Sequence, residues 1–523
     1  MAHWWQTGIV YQIYPRSFQD SNDDGIGDLP GIIERLDYLQ WLGVDAIWVS
    51  PFYPSPMKDF GYDVADYTDV DPIFGTLSDA EQLIAEAHAR NIKIIFDLVV
   101  NHTSDQHPWF LESRSSRDNP KRDWYMWADP KPDGSPPNNW LGHFDGESAW
   151  EWDEATEQYY YHTFLAEQPE LNWRNPEMRA AMLDNMRFWF DRGVDGFRLD
   201  VSYRAMKDAE LRDNPPNPDW EPGMDPFRRL LEPHTRNIPE IHTFNKWLRE
   251  VADEYEERVL IGEISLPFEE LVKHYGENND ELHLPFNFDL IHREWTAEEI
   301  RSSIADYEAA LPEGAWPNYV LGNHDQHRFG SRTAPEQIRI GMMLLLTLRG
   351  TPTVYYGEEI GMLDGDIPLN RVQDPWEKNV PGLGLGRDPE RTPMQWDASP
   401  QAGFTSEGVE AWLPIASGYT TINVNNERSE PASILMMTRS LIRLRRDHAA
   451  LHLGGQTLLD APEGVLAYER QVEGERFVVA LNFRGEYTAF AAGDEGNIVF
   501  STYMDLPPAD SPLRPHEGRL LRI

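Results

Sequence analysis

Cysteine is absent from this chain of 523 residues. That excludes disulfides, thiolate metal sites and cysteine nucleophiles, so any chemistry rests on other groups. Lysine is scarce. Lys58, Lys93, Lys121, Lys131, Lys207, Lys246, Lys273 and Lys378 are all there are, and arginine supplies the rest of the 46 basic residues. Positive charge is short overall: 88 acidic residues give a formal net charge of −42. Such a surface repels nucleic acid and anionic membranes, so neither is an expected partner. A salty cytoplasm would screen the self-repulsion; an acidic protein of a GC-rich host fits equally well. Long apolar runs are also missing. The longest, IGMMLLLTLRG (340–350), is too short to span a bilayer. No charged leader with an apolar stretch and cleavage site precedes the strand-like segment that begins at residue 9, so a cytoplasmic location is expected. Nothing speaks to oligomeric state.

What is present reads as a folded globular protein, with 40% hydrophobic and 12% aromatic residues. The 19 tryptophans are assigned mainly to core packing, although aromatic faces also suit the apolar faces of sugar rings. The length calls for one large domain with satellites. Strand-like and helix-like segments alternate: IVYQIYPRSF (9–18), a helix over 30–43, AIWVS (46–50), a helix over 78–91 with Ser78 as its N-cap, and KIIFDLVV (93–100). After an interruption come a helix over 176–193, GFRLD (196–200), VLIGE (259–263), LHLPFNF (282–288), NYVLGNHD (318–325), TPTVYYG (351–357) and a helix over 433–448. Eight strand-then-helix units predict an α/β fold closed as a (β/α)₈ TIM barrel. An open doubly wound sheet would want a Gly-rich phosphate turn after its first strand, and none is there. The barrel is assigned to 1–102 and 173–453, with an insertion at about 358–431 after strand eight. Residues 103–172 are read as an excursion domain after strand three, and 454–523 as a C-terminal antiparallel β-sandwich domain.

Four acids close strand-like runs: Asp97, Asp200, Glu263 and Asp325. In a barrel such ends converge on one face, where carboxyl groups can act as acid, base and nucleophile on a small molecule. DLVVNH (97–102), GFRLDV (196–201), IGEI (261–264) and NHD (323–325) follow one another in the order of the four best-known regions of glycoside hydrolase family 13, the α-amylase family. Through them the chain resembles that family, and within it the α-glucosidases and oligo-1,6-glucosidases. The resemblance implies Asp200 as nucleophile, Glu263 as general acid/base and Asp325 as transition-state stabiliser. Arg198, on the same strand face as Asp200, is expected to keep it ionised. Glu263 has to arrive protonated, which calls for partial burial or a neighbouring carboxylate.

By the same resemblance His102 and His324 bond hydroxyls of the innermost sugar, Asp59 and Tyr62 bind and stack on that ring, and Arg391 clamps its far hydroxyls against Asp59. Phe144 and Phe164 wall the pocket, or else belong to the core. The substrate implied is a short oligosaccharide or disaccharide, and the activity exo-acting and retaining. A transglucosylase or a sucrose/trehalose isomerase would use the same intermediate. Val201, after the nucleophile, accompanies use of α-1,6 bonds in related enzymes, where Thr or Ala accompanies α-1,4. Two positions depart from the family pattern beside the pocket: Glu170 in QPELN, where Asp is usual, and His327, where Pro is usual.

The run DSNDDGIGD (20–28) sets hard oxygen donors at alternating positions around a turn glycine, a spacing that suits Ca²⁺. The resemblance implies a structural Ca²⁺ on Asp20, Asn22, Asp24, the Ile26 carbonyl and Asp28. Mg²⁺ and an Asx-rich turn without an ion stay open.

Overall fold

The computed structural model describes residues 2–491, 496–508 and 510–523. Strands β1 (Val10–Ile13), β2 (Ala46–Val49) and β3 (Lys93–Val99) come first. A three-stranded antiparallel sheet follows, made by β4 (Trp127–Ala128), β5 (Trp150–Asp153) and β6 (Gln158–Tyr161). The main sheet resumes with β7 (Gly196–Asp200), β8 (Val259–Gly262), β9 (Leu284–Pro285), β10 (Asn318–Val320) and β11 (Thr351–Tyr355). Its lateral order is β10-β11-β1-β2-β3-β7-β8-β9, and every pairing is parallel. This is the expected barrel.

The backbone ladder is interrupted at one seam, between β9 and β10. Strand β9 is two residues long and ends on Pro285, which has no N–H to give. Asn318 bridges the gap with its side chain. Its Oδ1 accepts the Asn287 N–H at 3.0 Å and its Nδ2 donates to the Pro285 carbonyl at 2.5 Å.

Alternation along the strands sorts the core into two. Val10, Ala46, Trp48, Ile95, Val259, Ile261, Leu284 and Val320 pack inside the barrel, with Trp5 in the same cluster. Their neighbours Tyr11, Ile47, Ile94, Phe96, Phe197, Leu199 and Leu260 face outward into the larger core shared with the helices. The same period of two turns Asp97 inward, two residues on from Ile95, and puts Arg198 and Asp200 on one face of their strand.

Helix boundaries differ from expectation in two places. The helix Leu77–Ala89 is capped by Thr76, not Ser78: Thr76 accepts the Asp79 N–H and Asp79 returns a bond to the Thr76 N–H. Ser78 therefore lies inside the first turn. The expected helix over 30–43 is two, Leu29–Glu34 and Leu36–Leu42, separated at Arg35, and Asp28 caps the first.

The C-terminal part holds one antiparallel sheet of β12 (Gly455–Leu459), β13 (Val465–Val472), β14 (Glu475–Asn482), β15 (Asn497–Ser501) and β16 (Gly518–Arg522), in the order β12-β13-β14-β16-β15. Leu466, Tyr468, Phe477, Val479 and Leu481 pack into the main core. Phe490 and Leu513 cover Val465 and Ala480 on another side, and Thr488 and Leu513 form an isolated bridge. A β-sandwich was expected; among the described residues no second sheet accompanies this one. No helix among them is long and apolar enough to cross a membrane.

Candidate active site

One fully buried guanidinium organises the barrel end. Arg198 Nη1 donates to Asp97 Oδ1 at 3.0 Å and to Asp200 Oδ1 at 2.8 Å. Its Nη2 lies 2.7 Å from Glu263 Oε2, an ion contact without hydrogen-bond alignment. Glu263 Oε2 is instead bonded by the Val201 N–H at 2.9 Å. Val201 reaches it by adopting φ 35° and ψ 40°, the left-handed region that a β-branched residue enters only under strain. Strain thus sits between Asp200 and Glu263 and aims a backbone donor at Glu263.

The charges do not balance within this cluster, since Asp97, Asp200 and Glu263 share a single arginine. Burial pushes the Asp97 carboxyl up to about 6 against the pull of Arg198. Arg198 was expected to keep Asp200 ionised, and the ion pair between them is present. Burial dominates, and with Glu263, Asp97 and Asp325 it outweighs Arg198, so Asp200 stands well above the usual carboxylate range.

Asp325 behaves in the opposite way. Burial would raise it, but the surrounding charges hold it well below the usual range. Arg391 Nη2 donates to Asp325 Oδ1 at 2.8 Å and Arg387 Nη1 reaches the same oxygen at 3.3 Å. His324 Nε2 lies 3.2 Å from Oδ2, yet burial keeps His324 itself far below its ordinary value. A neutral imidazole supplies no positive charge, so the anion rests on the two arginines. His324 is held by Gln12 at Nδ1 (2.7 Å) and the Tyr62 hydroxyl at Nε2 (2.6 Å), and its ring stacks on both Tyr62 and Tyr14.

The arginine facing Asp59 is Arg387, not Arg391 as expected. Arg387 Nη2 donates to Asp59 Oδ1 and to Asp374 Oδ1, each at 2.8 Å, and with Asp325 it spans three carboxylates. Its guanidinium also lies 4.9 Å from the centre of the Phe144 ring. Arg391 turns the other way, its Nε donating to the His324 carbonyl at 2.7 Å.

His102 is buried and bonded to the Tyr62 carbonyl at 3.0 Å, Gln168 at 3.1 Å and Asn101 at 3.1 Å. Burial brings it down to about 4, so it is neutral at working pH. Gln168 also donates to Asp59 Oδ2 at 3.1 Å. Phe164 packs on His102 and Phe144, and Phe144 on Trp376, so both phenylalanines belong to this wall as well as to its packing. Glu170 does not face the pocket. It is fully buried in an ion pair with Lys207 and accepts from Asn101 Nδ2 at 2.8 Å, behind His102. His327 does lie near Asp325 in sequence and space, with its ring half-exposed beside Asp364.

Arg387, Asp374, Gln168 and Gln12 are the members that sequence reasoning did not place in the site, whereas Asp97 was expected there as a strand-end acid. Arg387 sits in GRDPER (386–391), four residues before Arg391, and one arginine of such a pair cannot be told from the other without the loop's path.

The 20–28 loop lies apart from this cluster, against residues 404–412. Asp20 Oδ1 accepts the Asn22 and Asp23 N–H groups, Oδ2 accepts that of Gly25, and Asp24 Oδ1 accepts that of Ile26. Asp28 caps a helix and accepts from Ser21. Carboxylate oxygens keep a second lone pair, and an all-oxygen donor set fits a hard dication.

The chain matches the family model described as the α-amylase catalytic domain over residues 12–454. It is 40% identical to an oligo-1,6-glucosidase of Heyndrickxia coagulans, covering 99% of both chains. Among solved structures, an α-glucosyl transfer enzyme, XgtA, superimposes with TM-score 0.93 at 40% identity, and a MutB variant in complex with its substrate sucrose with TM-score 0.90 at 34%; each is covered fully, as is this chain. The sequence match and the barrel-end carboxyl cluster together place this chain in glycoside hydrolase family 13, the α-amylase family, in its α-glucosidase group.

Proposed function

We propose that the protein is an exo-acting, retaining α-glucosidase that releases α-glucose from the non-reducing end of short α-glucosides. Asp200 attacks the anomeric carbon as the glycosidic oxygen takes a proton from Glu263. Glu263 then deprotonates a water that attacks the same carbon and frees Asp200, so the configuration is kept. The observation that carries this reading is the sharing of Arg198, with Asp200 and Glu263 on its neighbouring nitrogens. That closeness suits the separation of about 5–5.5 Å used by retaining enzymes. Asp325, anionic on two arginines, is suited to a positively charged oxocarbenium-like transition state.

Closure at one end supports exo action. Arg387 ties Asp59, Asp374 and Asp325 together, a contact that would stand in the way of a continuing chain. The likeness to a glucosyl transfer enzyme and to a sucrose-bound MutB variant favours a second reading, in which a sugar takes the glucosyl unit from Asp200. Product analysis on concentrated sucrose and maltose tests the two: glucose release supports hydrolysis, and new disaccharides support transfer or isomerisation. For linkage, Val201 supports acceptance of α-1,6 bonds. Val201→Thr should shift the isomaltose-to-maltose ratio of kcat/KM, since an apolar group there is worth about 1–3 kcal/mol; an unchanged ratio removes the assignment.

The oxygen donors of Asp20, Asn22, Asp24, the Ile26 carbonyl and Asp28 would hold a structural Ca²⁺, with Mg²⁺ the other candidate. No catalytic step involves it. Chelation should lower the melting temperature and Ca²⁺ restore it; an unchanged value leaves the loop as turns alone.

A further inference from the structure

A second cluster of ligating side chains lies next to the pocket and takes no part in the chemistry above. His327 follows β10, Asp364 follows β11, and Glu390 stands in the turn Pro389–Arg391. Their ligand atoms all lie within 4.8 Å of one another. His327 Nδ1 is 2.8 Å from Asp364 Oδ2 and 3.6 Å from Glu390 Oε2.

Three observations show that these atoms are not consumed by partners outside the cluster. Neither His327 Nδ1 nor Glu390 Oε2 has an aligned hydrogen-bond partner among the described residues, although Glu390 is only 1% exposed. Among the same residues no lysine or arginine pairs with either carboxylate: Arg391 is spent on Asp325 and the His324 carbonyl, and Arg332 on the His327, Ile291 and Leu321 carbonyls. Asp364 is held from its other oxygen, where Oδ1 accepts the Arg328 N–H at 2.8 Å, so Oδ2 is left aimed at the histidine.

We propose that His327 Nδ1, Asp364 Oδ2 and Glu390 Oε2 form a binding site for a divalent first-row transition metal ion beside the Asp325 end of the pocket. One imidazole with two carboxylates suits Zn²⁺, Co²⁺ or Mn²⁺, whereas Ca²⁺ and Mg²⁺ favour oxygen-only sets. A tetrahedral Zn²⁺ with bonds of about 2.0–2.1 Å sets its ligand atoms about 3.3 Å apart. The distances of 2.8 and 3.6 Å bracket that value. His327 Nδ1 is buried, so the ion would enter by rotation of the half-exposed ring. The three ligands come from three segments, and two of these also carry Asp325, Arg387 and Arg391. A bound ion would tie those loops together. The competing occupant is a proton on His327, shared with the carboxylates.

The test uses the full chain, stripped with EDTA and returned to excess Ca²⁺ so that the 20–28 loop is satisfied. ZnCl₂ is titrated calorimetrically, and CoCl₂ is followed by visible absorption. One Zn²⁺ per chain and a Co²⁺ d–d band are expected. His327→Gln and Glu390→Gln should each weaken Zn²⁺ at least about tenfold, while Asp200→Asn binds as the parent does. His327 is half-exposed, so its variant folds even if the buried Glu390 variant does not. Absence of saturable Zn²⁺ binding, binding undiminished in His327→Gln, or binding lost in Asp200→Asn would each overturn the site.

Discussion

Asp200 shows how far a single residue's behaviour depends on its neighbours. Its place two residues after Arg198 is plain from a strand's period of two, and the ion pair exists. The upward push on its carboxyl could not be read in the same way, because Asp97 and Glu263 converge on the same guanidinium from two other strands. Asp200→Asn should lower kcat by at least about 10⁴-fold on maltose with little change in melting temperature, as removal of a nucleophile does. Arg387 is the residue whose role the structure moved. Because it reaches Asp59, Asp374 and Asp325, Arg387→Ala leaves three buried carboxylates short of a partner. A fall of about 10²–10³-fold in kcat/KM is expected, measured on the same substrate, and Arg387→Lys should recover only part of it, since an ammonium cannot span the three. Glu170 is the reverse case. Its sequence position suggested the pocket, but its charge is answered by Lys207, and only the fold shows which way a side chain at that bridge turns.

At the scale of elements, the long periodic segments were legible: the strands around Lys93–Val99 and Gly196–Asp200 and the helices Pro176–Phe190 and Ile434–Asp447 lie where their patterns put them. The short strand at Leu284–Pro285 was less so, because the Asn318 side chain stands in for a ladder there and carries no period. The first turn of Leu77–Ala89 is another such place. Both Thr76 and Ser78 are good capping types, and what decides between them is the reciprocal Asp79 bond. Thr76→Ala should therefore cost about 1 kcal/mol in urea unfolding, and Ser78→Ala close to nothing. Just past β11, Glu358 is fully buried, and burial raises it to about 7. An acid whose pKa is higher folded than unfolded contributes stability at low pH, which is lost as pH rises towards its folded value. Glu358→Gln should hence be more stable than the parent at pH 8, by up to about 3 kcal/mol, with the advantage gone at pH 4.5. An advantage that does not vary with pH would contradict this.

The whole molecule is a barrel whose catalytic face is built from loops of very different length, with an acidic exterior around an interior that also carries charge. The net charge of −42 is borne largely outside the site, where carboxylates repel one another through solvent. Raising KCl from low to molar concentration should raise the melting temperature, because screening acts on the exposed charges and far less on the buried pairs. A melting temperature unmoved by salt would assign the composition to the host's codon usage instead. The family and barrel were visible in the order of four strand-end motifs; the pairing of arginines with carboxylates was not, since it depends on loops that fold back from distant positions. The central claim is that a glucosyl unit is carried on Asp200 between two inversions. It is tested most directly by NMR of the sugar released in the first seconds of maltose cleavage, before mutarotation. The account predicts α-glucose as the first anomer, and β-glucose would contradict it.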